Sequence, residues 1–460
     1  MGARALAAVT TTVVLAVFSA TAIAGSTDSI SHTLSFDTSD ISIERIDDLE
    51  VVSLRGAATT FAVGEPELPL VYVRLALPDG KIAAGARATV RSSVELPGSH
   101  SVRPAQPEVP LSLTGPVPRT APDPVVYASE SLYPNSVCEL LDNGNAGGVR
   151  VATVAVHPMQ YRPAAGTLVL NRDIEVTVTL AAASRTFRAP GDRSAKAEAA
   201  AIRRLRTIVD NPDDLSRPAL RGTRDDAVDY LIVTTASLAS SFQPLADWKT
   251  QRGVAAEVVT TDWIYANYAG TDEAEQVRNC IIDYYENKGT TWVMLGGDEG
   301  IVPVRVVIAM TGDAGDEIRC DLYFSDLDGT WNADGDAKWG EVSQDNVDLY
   351  ADVFVGRATV RNTTQADRFV NKLLTYEGAP TGDPLPTDYQ KDILFLAEVL
   401  WTSPWTDGGI CKDMIDDASI SPEFDPITKL YETNGQLSKS NAISEMNEGK
   451  NVINLSLIHI

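Results

Sequence analysis

The period of the hydrophobic pattern changes once along this chain, and that change limits the fold more than any other feature. From about Ser26 to Ala183, apolar and polar residues alternate in short runs, clearest at Ala86–Val94, Val149–Val156 and Asp173–Ala181. Period-two runs separated by Pro- and Gly-rich turns build half-buried strands, and no long helical period interrupts them. A β-sandwich is the natural architecture for such a series. Gly64–Pro69 reads as an extended connector, because each proline pushes its predecessor away from α.

From Asp225 onward, strand-like and helix-like stretches take turns. Tyr230–Thr234 precedes the helical stretch Ser237–Gln251, Ala255–Val259 precedes the amphipathic Asp272–Asn287, and Trp292–Leu295 leads into Gly296-Gly297-Asp298. Val353–Val355 is followed by a helix over Thr364–Tyr376, with Asn362, Thr363 and Thr364 as cap candidates. Ile393–Leu396, a helix near Ile410–Ile415, Ile427–Tyr431, Ser438–Glu448 and a buried strand start over Lys450–Asn454 continue the series. This alternation predicts a mainly parallel sheet with helices on both faces. The chain is therefore expected to be multidomain, all-β first and α/β second. In an open α/β sheet the chemistry sits in loops after the carboxyl ends of strands. Only Leu455–Ile460 follow the last strand, so part of the site is expected to be missing from this sequence.

Between the two halves, Arg185–Arg224 carries Arg188, Arg193, Arg203, Arg204, Arg206, Arg217 and Arg221. Ala195–Ile208 reads as helical, its flanks as flexible and the whole segment as exposed. Such a segment is either a site of proteolytic nicking or a plain solvated linker.

The N-terminus has the layout of an export signal. Arg4 supplies the positive end, Ala5–Ala20 an apolar stretch too short for a good membrane span, and Ala22-Ile23-Ala24 a cleavage site before Gly25. The product is expected to be secreted, extracellular or at the cell surface, with no membrane span after signal removal. A formal net charge of −25 argues against a nucleic-acid partner, since phosphate repulsion would dominate. That acidity serves either solubility or cation binding.

Cys138, Cys280, Cys320 and Cys411 lie far apart without a CxxC spacing, so neither a zinc site nor a dense disulfide scaffold is expected. One disulfide or four single thiols remain open, and Cys280 reads as core. His32, His100 and His157 are scattered and read as structural. Gly296-Gly297-Asp298 lacks both a GxGxxG pattern and a Walker lysine, which excludes a nucleotide site.

The densest polar constellation runs from Asp326 through Asp328, Asn332, Asp334 and Asp336 to Glu341. Alternate carboxylates bent by glycines can wrap several oxygens around one hard cation, and calcium takes about six to eight. The spacing fails the EF-hand template. The loop is thus either a structural Ca2+ site of another design, with these six residues as ligands, or an acidic turn in which Asp-Gly pairs supply αL geometry.

The α/β half resembles the gingipain-type cysteine peptidases. The resemblance is carried by Tyr230-Leu231-Ile232-Val233, Pro244–Lys249, Gly253, Trp292–Asp298, Ile301-Val302-Pro303, Asp321-Leu322-Tyr323, Asp328–Trp331, Asp334-Gly335-Asp336, Asp352–Arg357 and Asn371–Glu377. It covers about residues 226–454, and the β half is similar to the propeptide domain of that family. The resemblance implies the partition 1–24 signal peptide, 25–184 propeptide-like domain, 185–225 processing segment, 226–454 incomplete peptidase domain and 455–460 non-native tail. It also implies a caspase-like fold, protein or peptide substrates, and hydrolysis by a cysteine thiolate with a histidine base.

In the family the histidine stands in an Asn-x-x-Gly-His-Gly motif. Val452-Ile453-Asn454 matches its start, but Leu455–Ile460 departs from it, leaving His459 one position out of register and without flanking glycines. None of the four cysteines matches the nucleophile's context. Asp352 aligns with the acid that would orient the histidine, or else is a strand-edge carboxylate or a partner of Arg357. The chain is accordingly expected to be an exported endopeptidase precursor lacking its Cys–His pair and inactive as it stands. The alternative is a calcium-stabilised secreted binding module that keeps the fold without catalysis.

Overall fold

The computed structural model describes residues 29–46, 48–107, 119–183, 188–215, 226–308, 317–341, 344–379, 389–402 and 405–456, excluding the side chains of 417–418. The signal-peptide reading, Arg217, Arg221 and His459 fall outside the described residues. The chain divides into two compact units, Met1–Arg361 and Asn362–Ile460.

The first unit opens with ten strands: β1 (Ser29–Ser35), β2 (Ile41–Ile46), β3 (Leu49–Leu54), β4 (Ala58–Thr59), β5 (Pro69–Ala76), β6 (Lys81–Glu95), β7 (Cys138–Ala146), β8 (Val149–Val156), β9 (Met159–Arg162) and β10 (Thr167–Ala182). A single turn of helix, α1 (Pro124–Tyr127), precedes β7. One sheet has the order β1-β10-β6 with β9 also on β10, and a second has the order β4-β5-β8-β7. Both are antiparallel. Val73 and Leu75 of β5, Ala152, Val154 and Val156 of β8, and Ile174, Val176 and Val178 of β10 form one buried cluster. Two sheets sharing one core make the expected sandwich. Each fully buried valine or isoleucine there contributes about 1.5–3 kcal/mol.

Helix α2 (Ala195–Ile208) has the predicted bounds, begun by Ser194, whose side chain accepts from the Ala197 N–H. Its surroundings correct the picture of an exposed linker. Arg193 is only 3% exposed, Arg188 pairs with Glu286 at 2.7 Å, and Leu205 packs with Ala76, Ala146 and Val151. Ala195–Ile208 is amphipathic, so its apolar stripe is buried and the residues just before it are carried into the core with it.

The α/β part of this unit follows with β11 (Tyr230–Thr234), α3 (Ala236–Gln251), β12 (Ala256–Thr260), α4 (Thr261–Asn267), α5 (Glu273–Lys288), β13 (Trp292–Gly296), the antiparallel pair β14 (Arg305–Ile308) and β15 (Glu317–Cys320), and β16 (Phe354–Ala358). The sheet order β12-β11-β13-β16 is parallel throughout. Leu231, Val233, Val293 and Leu295 pack on Val277, Ile281 and Tyr285 of α5. Gly296 points to the opposite face, where a Cβ would stand 2.9 Å from Phe242 of α3. Helices therefore cover both faces, as expected of a parallel sheet.

The second unit contains α6 (Thr363–Tyr376), β17 (Ile393–Ala397), the hairpin β18 (Val399–Thr402) and β19 (Trp405–Asp407), α7 (Gly408–Ser419), β20 (Ile427–Tyr431), α8 (Lys439–Glu448) and β21 (Val452–Ser456). Its parallel sheet has the order β20-β17-β21; β21, expected to be buried, is instead an edge strand with Val452, Ile453 and Leu455 exposed, because only β17 pairs with it. Ile393 and Phe395 pack on one face with Tyr431, while Leu394, Leu396 and Leu430 pack on the other with Leu437 and Ala442. Asn362 caps α6 and Ser438 caps α8 through their side-chain oxygens.

Candidate functional site

The turn joining β7 and β8 is Gly147-Gly148, both at positive φ (58° and 88°), as a tight primed hairpin turn requires. The hairpin end meets the segment that enters β16. The Asn145 N–H donates to Asp348 Oδ2 at 2.8 Å, and the Gly147 N–H donates to Asp352 Oδ1 at 3.0 Å. The Asn145 amide nitrogen donates to Asp352 Oδ1 at 3.2 Å and also to Asp328 Oδ2. Gly144 permits this approach: a Cβ there would stand 2.3 Å from the Tyr350 ring. Tyr350 in turn shares a 2.8 Å hydrogen bond with Thr153. Here the sandwich docks on the α/β part.

Four carboxylates gather under that hairpin. Burial pushes the Asp326 carboxyl up to about 6, with the Asp328 charge adding to it against a hydrogen bond from the Gly329 N–H. Burial, and then the Asp326 charge, pushes Asp348 up to about 7. Asp352 is raised well above the usual carboxylate range by burial first and Asp328 next, and Asp328 itself is raised by burial. Arg278 lies nearby, but its guanidinium donates to the Tyr323, Asp326 and Gly329 carbonyls at 2.9, 2.7 and 3.1 Å. The cluster is thus a group of buried acids whose neighbours favour the neutral form.

Asp352 is 4% exposed and engaged on both oxygens, Oδ2 accepting from the Leu327 N–H at 2.8 Å. Its other expected partner, Arg357, turns instead to Asp321 in a two-pronged pair at 2.8 Å each. A carboxylate this enclosed serves the docking contact.

The six residues expected to form one cation loop are divided. Asp326 and Asp328 belong to the buried cluster just described. One carboxylate oxygen from each of Asp334, Asp336 and Glu341 lies within 4.8 Å of the others. The Asn332 amide joins this group by donating to the Asp336 carbonyl at 2.9 Å. The loop is closed by the Gly340 N–H donating to the Trp331 carbonyl at 2.9 Å, and by Asp345, which accepts from the Ala333 and Glu341 N–H groups at 2.6 and 3.0 Å.

At the carboxyl ends of the second sheet, the Glu398 N–H donates to the Ser456 carbonyl of β21 at 3.0 Å. Glu432, after β20, accepts from the Val399 N–H at 2.8 Å. Lys412 of α7, 2% exposed, donates to the Asn454 side chain. All four cysteines are free: Cys138 and Cys280 are buried, Cys320 partly so, and Cys411 exposed. Burial pushes the Cys280 thiol up to about 12, which leaves no thiolate at neutral pH. His100 pairs with Glu50 at 2.9 Å, and burial lowers His157. Both are structural in these settings.

Comparison with known proteins decides the family. The peptidase family C25 profile matches residues 223–456, and the C25 propeptide profile matches residues 34–194. The chain belongs to peptidase family C25. This is the gingipain-type cysteine peptidase family. Similar proteins include Lys-gingipain W83 of Porphyromonas gingivalis, 24% identical over 76% of this chain and 19% of that protein. Gingipain R2 of Porphyromonas gingivalis is 22% identical over 58% of this chain and 35% of its own length. The chain thus spans about a fifth to a third of these relatives. Among solved structures, that of the Arg-specific cysteine proteinase gingipain R matches at a TM-score of 0.37 and 18% identity, over 52% of this chain and 48% of the other. The propeptide match ends at Ser194, where α2 begins, so the docked sandwich corresponds to the propeptide region.

Asn145, Asp348 and Glu398 are the residues that sequence reasoning missed. Asn145 stands two residues before a Gly-Gly turn, and that turn was the available signal. Glu398 directly follows an apolar strand, where the strand-end rule alone points to it. Asp348 sits in no motif.

Proposed function

We propose that the chain is the precursor region of an exported cysteine endopeptidase, acting on protein or peptide substrates through a caspase-like catalytic domain. In this reading the β-sandwich is the propeptide and the α/β part belongs to the peptidase domain. The observation that carries the reading is the order of the two family matches, joined to a physical docking contact between them at Asn145, Gly147, Asp348 and Asp352. Secretion or display at the cell surface follows from the signal-like N-terminus and belongs to the same proposal. Among the described residues no helix is long and apolar enough to cross a membrane.

Within these residues the reading assigns no nucleophile: Cys138 and Cys280 are buried with thiols raised by burial, and neither Cys320 nor Cys411 stands in the sequence context of the family's nucleophile. The acid that orients a histidine at the end of β21 is assigned to Glu398 rather than to Asp352. Its backbone is bonded to the last residue of that strand, whereas Asp352 is saturated and enclosed.

The test uses the whole chain. It is nicked with trypsin, run on size exclusion, and assayed on casein with and without iodoacetamide. The two halves should stay together after nicking and show no thiol-sensitive hydrolysis. Halves that separate on nicking would overturn the docked-propeptide reading. Casein hydrolysis abolished by iodoacetamide would overturn the absence of a nucleophile.

A further inference from the structure

Between the sandwich and β11, residues 188–215 cross to the α/β part and then return to the sandwich. Their first half is fastened to the α/β part. The Gly191 N–H donates to the Tyr285 carbonyl at 2.8 Å, and the Ser194 N–H donates to Asp229 Oδ1 at 3.1 Å. The Arg193 guanidinium lies over the Tyr285 ring, 5.4 Å from its centroid. The fit is close: a Cβ on Gly191 would stand 2.7 Å from the Glu286 carbonyl oxygen.

The second half is fastened to the sandwich. Strand β4 pairs with β5 only at Pro69 and Leu70, which leaves that edge of β5 uncovered further along. Asp210 and Asn211 fill it. The Arg74 N–H donates to Asp210 Oδ2 and the Asp210 N–H to the Arg74 carbonyl, both at 2.7 Å. At Ala76, the Asn211 Oδ1 accepts from the N–H at 2.7 Å, and its amide nitrogen donates to the carbonyl at 3.0 Å. An open strand edge is thereby covered. Between these two anchors, Ala197, Ala201 and Leu205 of α2 are buried at a four-residue spacing. Arg204 beside them donates to the Ala351 carbonyl and lies over the Phe354 ring.

We propose that residues 188–215 are a strap that holds the sandwich to the α/β part in trans, staying seated across both after the backbone is cut on either side of it. This role rests on the reading of the sandwich as a propeptide. It places the hold in a segment that neither family match includes past Ser194. A backbone cut removes the effective concentration that tethering supplies and leaves every contact of the strap in place. A helix buried along one stripe and anchored at both ends keeps its seat through those contacts. The seat is thus an interaction surface for one kind of partner, an amphipathic helix bearing arginines. Departure of the strap, rather than cleavage beside it, frees the sandwich.

The test places recognition sites for a site-specific protease in the full chain, one before Arg188 and one after Leu215, and cuts the folded protein at both. On size exclusion at micromolar concentration, all three pieces should elute together. The double variant D210A/N211A removes three hydrogen bonds to β5 and should fold, as circular dichroism of the uncut chain would show. After both cuts, it should raise the concentration at which the sandwich separates by about tenfold or more. Elution of the strap peptide apart from either half would overturn the strap, and so would a D210A/N211A midpoint equal to that of the wild type. In both cases the docked propeptide still stands if a chain cut only after Leu215 holds together. Separation of the halves after that single cut would overturn both readings.

Discussion

Replacing Asp348 with asparagine should change the sign of its effect on stability with pH. In the fold, burial and the neighbouring Asp326 charge hold the Asp348 carboxyl up to about 7, against an ordinary value of 3.8. A carboxyl raised by folding binds its proton more tightly in the folded state. Its contribution is therefore complete below the ordinary value and is lost as pH rises from about 4 through about 7. A shift of about three pH units corresponds to about 4 kcal/mol as a ceiling. Asparagine has nearly the same shape and cannot ionise. One of its two positions can still accept from either the Asn145 or the Tyr350 N–H, which Asp348 now receives at 2.8 Å each. The other position becomes a donor facing a donor, at about 1–3 kcal/mol. At pH 8 the relief outweighs the lost bond, and D348N should be more stable by about 1–3 kcal/mol. At pH 3, below the ordinary value, no charge remains to relieve, and it should be less stable by about 1–2 kcal/mol. Urea unfolding of the intact chain, with chelator present at both pH values, measures this as the difference between variant and wild type. An equal loss of stability at both pH values would refute the reasoning, because Asp348 would then be an ordinary ionised acceptor.

Two backbone positions offer simpler checks. Gly289 ends α5 at φ 74°, and a Cβ there would stand 2.1 Å from the Asp192 carbonyl oxygen. Gly289→Ala should destabilise the chain by about 2 kcal/mol or more through αL cost plus that clash, and should expose Arg188 and Arg193 to trypsin. An unchanged urea midpoint and digestion rate would show that the 188–193 segment is not packed there. Leu349 is 67% exposed at φ 61° beside the docking aspartates, a conformation unfavourable for leucine. Leu349→Gly should therefore stabilise by up to about 1 kcal/mol, whereas a loss of similar size would show that its side chain packs.

Much of the secondary structure was legible because it follows from near-neighbour chemistry. Tyr230–Thr234, Ile427–Tyr431, Val149–Val156 and Ala195–Ile208 have the bounds that their hydrophobic period and propensities predict. Asn362, one of the three cap candidates, caps α6, since a cap needs only a side-chain oxygen two or three residues from a free N–H. The acid-rich loop was legible as a candidate, again because its residues are adjacent.

Pairing across distance was not legible. Nothing in the order Asp326, Asp328, Asn332, Asp334, Asp336, Glu341 says that the first two turn toward Asn145 while the rest close on one another. That division is made by Trp331, buried at 4% exposure between the two sets, and by a sandwich whose hairpin arrives from 183 positions away to reach Asp328. Asp348 and Asp352 acquire unusual acidities only because folding removes their water and places like charges beside them. The sequence by itself determined most of the strand and helix runs, the change from sandwich to α/β and the family. Tertiary structure decided which carboxylates share a site, because burial and charge proximity are properties of packing between distant segments, and no local pattern encodes them.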